Sequence, residues 1–412
     1  MKQSTRSTPG TRRTLAVALG TALAVSACAG NDGNDGAITF IAAEYSTDTE
    51  PYWQELIASF EDEHPDMSVE LQVINWDDID QHVTTLIQNQ QQPDVLNLNK
   101  FADFAEDELL HPASEIASEE VLDDFLPGFA ANSEFEGTQY ALPFIASSRL
   151  FFYNTDLFDE AGLIGPPETW DEIASAAEAI SEVGAVGYGL PLGAEEAQAE
   201  FQMWINGNGG HWVDEDGNWT IDSEENVETL EFLAGMVEDG LTQPNPATTD
   251  RADMFNAFAQ GEVGMLNGAV FLPGIIDEQN PDLNYEIAPI PSNENHPSST
   301  LGVQDYLMAF DNPGNEETVR AFIDYVYTTE RYTEFLETER FLPATESASE
   351  VMAADEELAP FIEALPDARF YPTTDPAWSA VDGMVKQEIG TAVQDEDPRA
   401  VLDRIQQRAA GE

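Results

Sequence analysis

Residues 140–172 read YALPFIASSRLFFYNTDLFDEAGLIGPPETWDE, and this stretch determines the fold class more than any other. The apolar run LFFY at 150–153 predicts a strand, and the amphipathic segment that begins at Trp170 predicts a helix over 170–182. A further strand is predicted to end at 188–191. Strand, helix and strand in this order are typical of an α/β lobe whose helices cover a sheet.

The same alternation precedes this stretch. The predicted elements are strands at 38–42, 69–73 and 93–98 and helices at 52–63 and 79–90. Such a β-α-β-α-β series is typical of a mostly parallel sheet. No linker rich in Pro, Gly or Ser separates the two halves, so we expect two α/β lobes that interleave through several chain crossings.

Several segments resemble the central signature of extracellular solute-binding proteins of the maltose-binding type, which serve ABC importers. In chain order they are 92–95 (QPDV), 140–144, 150–154, 157–158, 161–163, 167–172, 258–267 and 341–344 (FLPA). The resemblance implies a type II periplasmic-binding-protein fold, in which two interleaved lobes are joined by hinge crossings around a ligand cleft. It implies crossings near 144–148 and 287–291, a first lobe of 37–144 plus 292–335, and a second lobe of 145–291 plus 336–412.

The resemblance also implies a carbohydrate ligand that is captured outside the cell and delivered to an ABC transporter permease. Sugars offer hydroxyls that need polar partners and ring faces that stack on aromatic side chains. Trp378 lies where maltose-binding proteins carry a stacking tryptophan, although a core residue at a helix start would give the same pattern. Trp204 lies in the second-lobe region that faces the cleft in this family, or packs as the core residue of an amphipathic helix.

The other candidate ligand-binding residues follow from their positions. Ser147 aligns with a ligand-contacting crossing residue, and Arg149 pairs either with the ligand or with a structural carboxylate. The remaining candidates lie after predicted strands or in loops: Glu44, Tyr45, Ser46, Asn97, Asn99, Asn267, Phe271, Gln304, Asp305, Arg340 and Tyr371. Val270 and Phe271 stand where the maltose pattern has a tryptophan nearby, which argues against linear maltodextrins and favours a smaller glycoside or a polyol conjugate.

The N-terminal region predicts export and lipid anchoring. Residues 1–13 are basic without one acidic residue, and an apolar run over 15–25 follows, which is too short to span a bilayer. The sole cysteine, Cys28, ends a sequence that resembles a lipobox, so 1–27 is predicted as a signal peptide and 28–36 as a flexible tether. Lipid on Cys28 would anchor the protein to the outer face of the cell membrane. The pair Arg12-Arg13 resembles a twin-arginine signal, and the general export route is the alternative.

The charge is the most unusual compositional feature. With 79 acidic and 15 basic residues, the formal net charge of the 412-residue chain is −64 at pH 7. Such a chain cannot build the cationic surface that nucleic acid or an anionic membrane requires. Since salt at about 1 M shortens the Debye length to roughly 3 Å, we interpret the composition as an adaptation to high salt. An acidic extracellular protein from an ordinary habitat is the alternative.

The sequence carries no recognisable catalytic chemistry. Its five histidines lack zinc-site spacing, and it contains neither a phosphate-binding loop nor a nucleophile elbow. Residues 214–218 (DEDGN) predict a hairpin turn rather than a calcium loop, because the distal ligands are missing. We therefore expect a monomeric binding protein without cofactor or metal. The alternatives are an anchored carbohydrate-active enzyme and a receptor for a non-sugar such as a compatible solute or a polyamine.

Overall fold

The structure, a computed structural model, describes residues 36–214 and 216–411. The predicted signal peptide, Cys28 and the tether up to residue 35 lie outside this part of the chain. The strands are β1 Ala37–Ala43, β2 Ser68–Ile74, β3 Val95–Leu98, β4 Glu134–Phe135, β5 Thr138–Gln139, β6 Ala141–Ser147, β7 Arg149–Asn154, β8 Val186–Tyr188, β9 Val263–Ala269, β10 Tyr285–Ala288, β11 Thr300–Leu301, β12 Val303–Ala309 and β13 Ala368–Arg369.

Helices cover these strands along the described chain. They are α1 Thr49–Glu63, α2 Trp76–Gln88, α3 Ala102–Glu106, α4 Ala113–Ile116, α5 Glu119–Asp123, α6 Pro127–Ala131, α7 Thr155–Ala161, α8 Trp170–Glu182, α9 Ala197–Asn206, α10 Glu224–Glu238, α11 Arg251–Ala259, α12 Leu272–Gln279, α13 Glu316–Val326, α14 Thr329–Glu339, α15 Glu346–Met352, α16 Ala359–Ala364, α17 Trp378–Glu388 and α18 Pro398–Ala409. Among the described residues, none of these helices is both long and apolar enough to cross a membrane.

Two mixed sheets form the centres of two α/β lobes. The first sheet has the strand order β2-β1-β3-β12-β6, with β1 parallel to β2 and β3, and β12 antiparallel to β3 and β6. The second sheet has the order β10-β7-β9-β8, with β7 antiparallel to both neighbours. Strand β12 belongs to the first sheet, although it follows β7–β10 of the second sheet in the sequence. The two lobes therefore interleave along the chain.

Three chain segments lie side by side where the two sheets meet. Ser148 alone separates β6 from β7. The Thr300 hydroxyl accepts a hydrogen bond from the Arg149 amide at 2.8 Å and donates to the Arg149 carbonyl at 2.6 Å. Residues Thr300–Leu301 in turn pair in parallel with β13, and the Gly302 amide donates to the Arg369 carbonyl. The crossings near 144–148 and 287–291 stay predictions, and a passage at β13 was not among them.

Local sequence signals explain several element boundaries. The Thr169 side chain accepts from the Glu172 amide while the Glu172 carboxylate accepts from the Thr169 amide, a capping box that starts α8 where it was predicted. In the turn over 214–218, Asp214 Oδ1 accepts from the Asp216 and Asn218 amides, and Val213 bridges to Trp219. The predicted hairpin turn is therefore confirmed.

Candidate ligand-binding cleft

A cavity of about 290 Å³ lies between elements of the two lobes. One wall comes from β12 and from residues at the carboxyl end of β3. The other comes from α9, α17 and the loop that precedes α17. Of the predicted site residues, the cavity lining includes Asn99, Gln304, Asp305, Tyr371 and Trp378.

Asp305 on β12 is a buried carboxylate in the cavity wall. It is 6% exposed, and its Oδ2 accepts a hydrogen bond from the Tyr45 hydroxyl at 2.8 Å. Burial raises the pKa of Asp305 to about 6, and the hydrogen bond from Tyr45 opposes that rise. Tyr45 is itself packed edge-on against Phe341 and Trp76, with ring centroids 5.0 and 5.7 Å apart. Tyr45 therefore supports Asp305 and is not itself among the lining residues.

Aromatic rings form the opposite wall. Trp378 stacks on Tyr371 with ring centroids 5.2 Å apart and an interplanar angle of 20°. It also stacks on Trp219 at 6.4 Å and contacts Trp212 at 5.4 Å. Trp378 is 8% exposed, so it is both a core residue of the second lobe and a member of the cavity wall. The two interpretations of its sequence position, a core residue at a helix start and a residue of the cleft, are therefore compatible.

Three buried polar atoms of lining residues have no hydrogen-bond partner among the described residues. They are Gln198 Oε1, Gln304 Oε1 and the Tyr371 hydroxyl. The amide orientation of Gln304 is fixed, because its Nε2 donates to the Phe129 carbonyl and the Ser133 hydroxyl at 3.2 Å each. Buried polar groups are normally paired, so these atoms keep hydrogen-bonding capacity that the described residues do not fully use. Burial raises the pKa of the Tyr371 hydroxyl, although Gln198 lies close enough to oppose that rise. The cavity is therefore equipped for a polar solute.

Both lysines of the cavity wall are held in ion pairs. Lys100 contacts Asp80 at 2.9 Å, and Lys386 contacts Asp382 at 3.0 Å. These are the two lysines of the described part of the chain, and both line the cavity. Burial raises the pKa of Asp103, while nearby Lys100 opposes that rise.

A second cavity, also of about 290 Å³, extends the cleft. It shares Asn132, Phe370 and Tyr371 with the first cavity and is otherwise lined from α9, the hairpin region and the loop after β13. Between the two, the Thr373 hydroxyl lies 3.0 Å from the Tyr306 hydroxyl and 3.2 Å from Asn132 Nδ2. These bonds connect the first lobe to the loop that leads to Trp378.

A buried polar network lies behind the cleft and contains four predicted site residues. Arg149 donates to the Ser147 hydroxyl at 2.8 Å and to Glu196 at 2.9 Å, so its partner is a structural carboxylate. Trp204 Nε1 donates to Glu200 at 2.7 Å, and Asn267 Nδ2 lies 3.5 Å from the same oxygen. Ser147, Arg149, Trp204 and Asn267 are each at most 9% exposed and are not among the lining residues of the main cavity.

The other predicted residues also lie outside the main cavity lining. Asn97 is fully buried, accepting from the Ala43 amide and donating to the Tyr306 carbonyl. Phe271 lies under the Arg251 guanidinium, 5.2 Å from the ring centroid. Arg340 is an exposed residue with φ +59° at the end of α14. Glu44 and Ser46 are exposed in the loop after β1.

Several lining residues were not predicted from the sequence. They are Asp80, Lys100, Asp103, Gln198, Asp382 and Lys386. The rarity of lysine in the sequence was a usable signal, because a chain that otherwise relies on arginine keeps its two folded-region lysines here. Nothing in the sequence distinguishes Gln198 from its buried neighbours on α9.

Two interleaved lobes around a polar cavity define the class of solute-binding proteins. The family model described as bacterial extracellular solute-binding protein matches residues 43–331, and the chain belongs to this family. A binding protein of Brucella abortus is 33% identical over 354 residues, which cover 84% of this chain and 85% of that protein. An arabinooligosaccharide-binding protein of Halalkalibacterium halodurans is 25% identical over 321 residues, covering 74% and 71%.

Solved structures confirm the fold. An ABC transporter solute-binding protein of Thermotoga lettingae bound to α-D-tagatose matches with a TM-score of 0.76 at 22% identity, covering 91% of this chain and 99% of that one. The cyclic maltosyl-maltose binding protein of Arthrobacter globiformis matches with a TM-score of 0.77 at 21% identity, covering 91% and 98%. The predicted type II periplasmic-binding-protein fold and the predicted family are therefore confirmed.

Proposed function

We propose that the protein is a carbohydrate receptor that captures a sugar, a small oligosaccharide or a glycoside outside the cell and delivers it to an ABC transporter permease. The observation that carries the proposal is the cavity that Tyr371 and Trp378 line together with residues of β12, and in whose walls three buried polar atoms have no hydrogen-bond partner among the described residues. Stacking surfaces and unpaired polar groups are what a polyhydroxy ligand requires. Relatives named for arabinooligosaccharide and mannitol binding support the same class of ligand.

The proposed site consists of residues from both walls of the cleft. We retain Asn99, Gln304, Asp305, Tyr371 and Trp378 from the sequence prediction and add Gln198, Lys100 and Lys386. Ser147, Arg149, Trp204 and Asn267 are better described as the support of the second wall, since each makes a hydrogen bond to protein, although Asn267 Oδ1 has no partner among the described residues. Asn97 and Tyr45 support β12 in the same way.

Capture requires closure of the lobes and no covalent step. Ligand contacts made by both walls favour the closed arrangement and shift the population towards it. The predicted division is a first lobe of 37–144 plus 292–335 and a second lobe of 145–291 plus 336–412, and β6, which belongs to the first sheet through Ser147, favours moving the boundary at 144 to 147. The bonds of Ser347 to Asp124 and the pairing of Leu342 with Ala146 favour extending the first lobe through about residue 347.

The proposal extends to the cellular setting. The protein is exported through the signal in 1–27, lipidated at Cys28 and held at the outer face of the cell membrane by lipid alone. It acts as a monomer that contacts the permease subunits. The net charge of −64 suits an environment of high salt, in which repulsion between the carboxylates is screened.

The experiment is a thermal-shift screen of the mature protein in high salt against sugars, glycosides, polyols, compatible solutes and polyamines, with each bound compound recovered and analysed. A large shift from one carbohydrate that is recovered unchanged supports the proposal. Tyr371→Phe, which deletes the unpaired hydroxyl and keeps the stacked ring, should weaken binding about threefold to tenfold. Glu178→Gln, on the exposed side of α8, is the control. Conversion of the compound to products would instead establish an enzyme.

A further inference from the structure

Asp305 is buried without the partners that a buried carboxylate normally has. It is 6% exposed, its described hydrogen bond comes from Tyr45, and none of the described ion pairs includes it. Buried charges in proteins are ordinarily paired or bound to several donors, because removing them from water is costly. Because Asp305 lines the cavity and has one described hydrogen bond, its carboxylate can pair with a group of the ligand.

Glu200 shows how the same chain satisfies a buried carboxylate that serves the structure. Its Oε1 accepts from the Tyr188 hydroxyl and from Trp204 Nε1, both at 2.7 Å, and Asn267 Nδ2 lies at 3.5 Å. Three donors thus converge on Glu200, whereas one reaches Asp305. The difference between the two carboxylates cannot come from the acidic composition, which they share.

The charges around the cavity favour a cationic partner. Five aspartates line it, at positions 80, 103, 305, 375 and 382, and the two lining lysines are held by Asp80 and Asp382. The net charge of the lining residues is therefore negative even after both ion pairs are counted. Adaptation to salt explains hydrated surface acids, but it does not explain a carboxylate as buried as Asp305.

The hydrogen-bond acceptors of the cavity wall also favour a cationic ligand. Gln304 Oε1, next to Asp305 in the chain, is an acceptor, since the Nε2 of that amide is already committed to Phe129 and Ser133. Gln304 is 6% exposed, as is Gln198, whose Oε1 also has no described partner. Acceptors that line the same cavity as a carboxylate with one described donor suit a ligand that donates several hydrogen bonds and carries positive charge.

We infer that the ligand carries a protonated amine that pairs with Asp305, which makes it an amino sugar or an aminated glycoside. This inference rests on the proposed function, because it specifies which carbohydrates the same cleft takes. The ammonium group donates to Asp305, while the hydroxyls of the ligand use the polar groups of the Tyr371–Trp378 wall. Neutral parent sugars satisfy the hydrogen bonds without neutralising the charge, and anionic sugars are repelled by the excess of aspartates.

The test compares matched ligands by calorimetry on the full mature protein in high salt. Gluco- and galacto-configured disaccharides, α- and β-linked, are each used in three forms that differ at one carbon: amine, N-acetylamine and hydroxyl. In the configuration that binds, the amine should bind at least about tenfold more tightly than the other two forms. A neutral form that binds as tightly as the amine overturns the inference and leaves the proposed function standing. If neither this panel nor the thermal-shift screen of sugars and glycosides yields a bound carbohydrate, the proposed function fails, and the inference fails with it.

Variants locate the amine. In Asp305→Asn the ratio of amine to hydroxyl affinity should fall to about one, whereas Asp62→Asn, an exposed position on α1, should retain it. A ratio unchanged in Asp305→Asn overturns the assignment. If that variant does not fold, Tyr45→Phe provides the test, because it removes the hydroxyl donor and leaves the charge of Asp305. The amine preference should then equal or exceed that of the parent protein, and its loss would overturn the inference.

Discussion

Glu200 gives this protein a pH dependence of stability opposite to that of a salt-bridged carboxylate. The side chain is 2% exposed, and its burial raises the pKa to about 7, although hydrogen bonds from Tyr188 and Trp204 lower it. The folded protein therefore holds this proton more tightly than the unfolded chain, whose glutamate titrates near 4.5. Stability from this residue is complete below pH 4.5 and is lost as the pH rises to about 7 and beyond.

The magnitude follows from that difference in pKa. A folded value of about 7 against an ordinary 4.5 corresponds to about 3 kcal/mol, and most of it falls between pH 5 and pH 8. Glu200→Gln keeps an oxygen for Tyr188 and Trp204 and cannot ionise, so it resembles the protonated form. The free energy of unfolding of the variant minus that of the parent should accordingly rise by roughly 2–3 kcal/mol between these two pH values.

The assay is denaturant unfolding of both proteins at pH 5 and pH 8 in the same high salt, followed by tryptophan fluorescence. All other titrating groups are common to the two proteins, so their effects cancel in the difference. Glu178→Gln, at an exposed position of α8, should show a difference that does not change with pH. A difference for Glu200→Gln that is equally constant would refute the reasoning, since it would mean that burial does not retain the proton.

Three further predictions concern the hinge, the charge and the anchor. Arg149→Met removes the cation that binds Ser147 and Glu196. In urea titrations this variant should lower the free energy of unfolding by at least about 2 kcal/mol. A loss below about 0.5 kcal/mol would contradict a stabilising role for these contacts. Raising salt from about 0.2 M to about 3 M should increase the melting temperature, because it screens a net charge of −64, and unchanged melting would count against adaptation to salt. Cys28→Ser should move the exported protein from the membrane fraction to the soluble fraction, and continued membrane association would contradict lipidation.

The fold was accessible from the sequence because its signals are local. The helix α8 begins at Trp170 as predicted, since the capping box of Thr169 and Glu172 and the apolar spacing of the helix agree on one start. The strand predicted at 69–73 lies within β2 for a similar reason, because alternation over a few residues defines it. The passage at β13 was missed, since two residues paired with Thr300–Leu301 leave no periodic pattern.

The site was only partly accessible, because its chemistry depends on contacts that are distant in sequence. On α9 every residue from Ala197 to Asn206 is buried, so the helix has no exposed side from which to infer which residue faces the cleft. Trp204 turns towards Glu200, whereas Gln198, on another side of the same helix, lines the cavity. The sequence left open whether Arg149 pairs with the ligand or with a structural carboxylate, and only the fold shows that its partner is Glu196.

Two passages between the lobes continue directly into residues that line the cavity, so we expect closure of the lobes to depend on ligand contact. Gly302 follows directly on β11, and a Cβ there would lie 2.5 Å from Phe370 Cε1 and 2.9 Å from Ala368 Cβ, so two passages between the lobes pack closely at this residue. Gln304 and Asp305 lie two and three residues beyond Gly302 on one passage, and Tyr371 lies one residue beyond Phe370 on the other. Because residues of both cavity walls lie within a few positions of this contact, we expect a ligand that bridges the walls to restrain the two passages between the lobes.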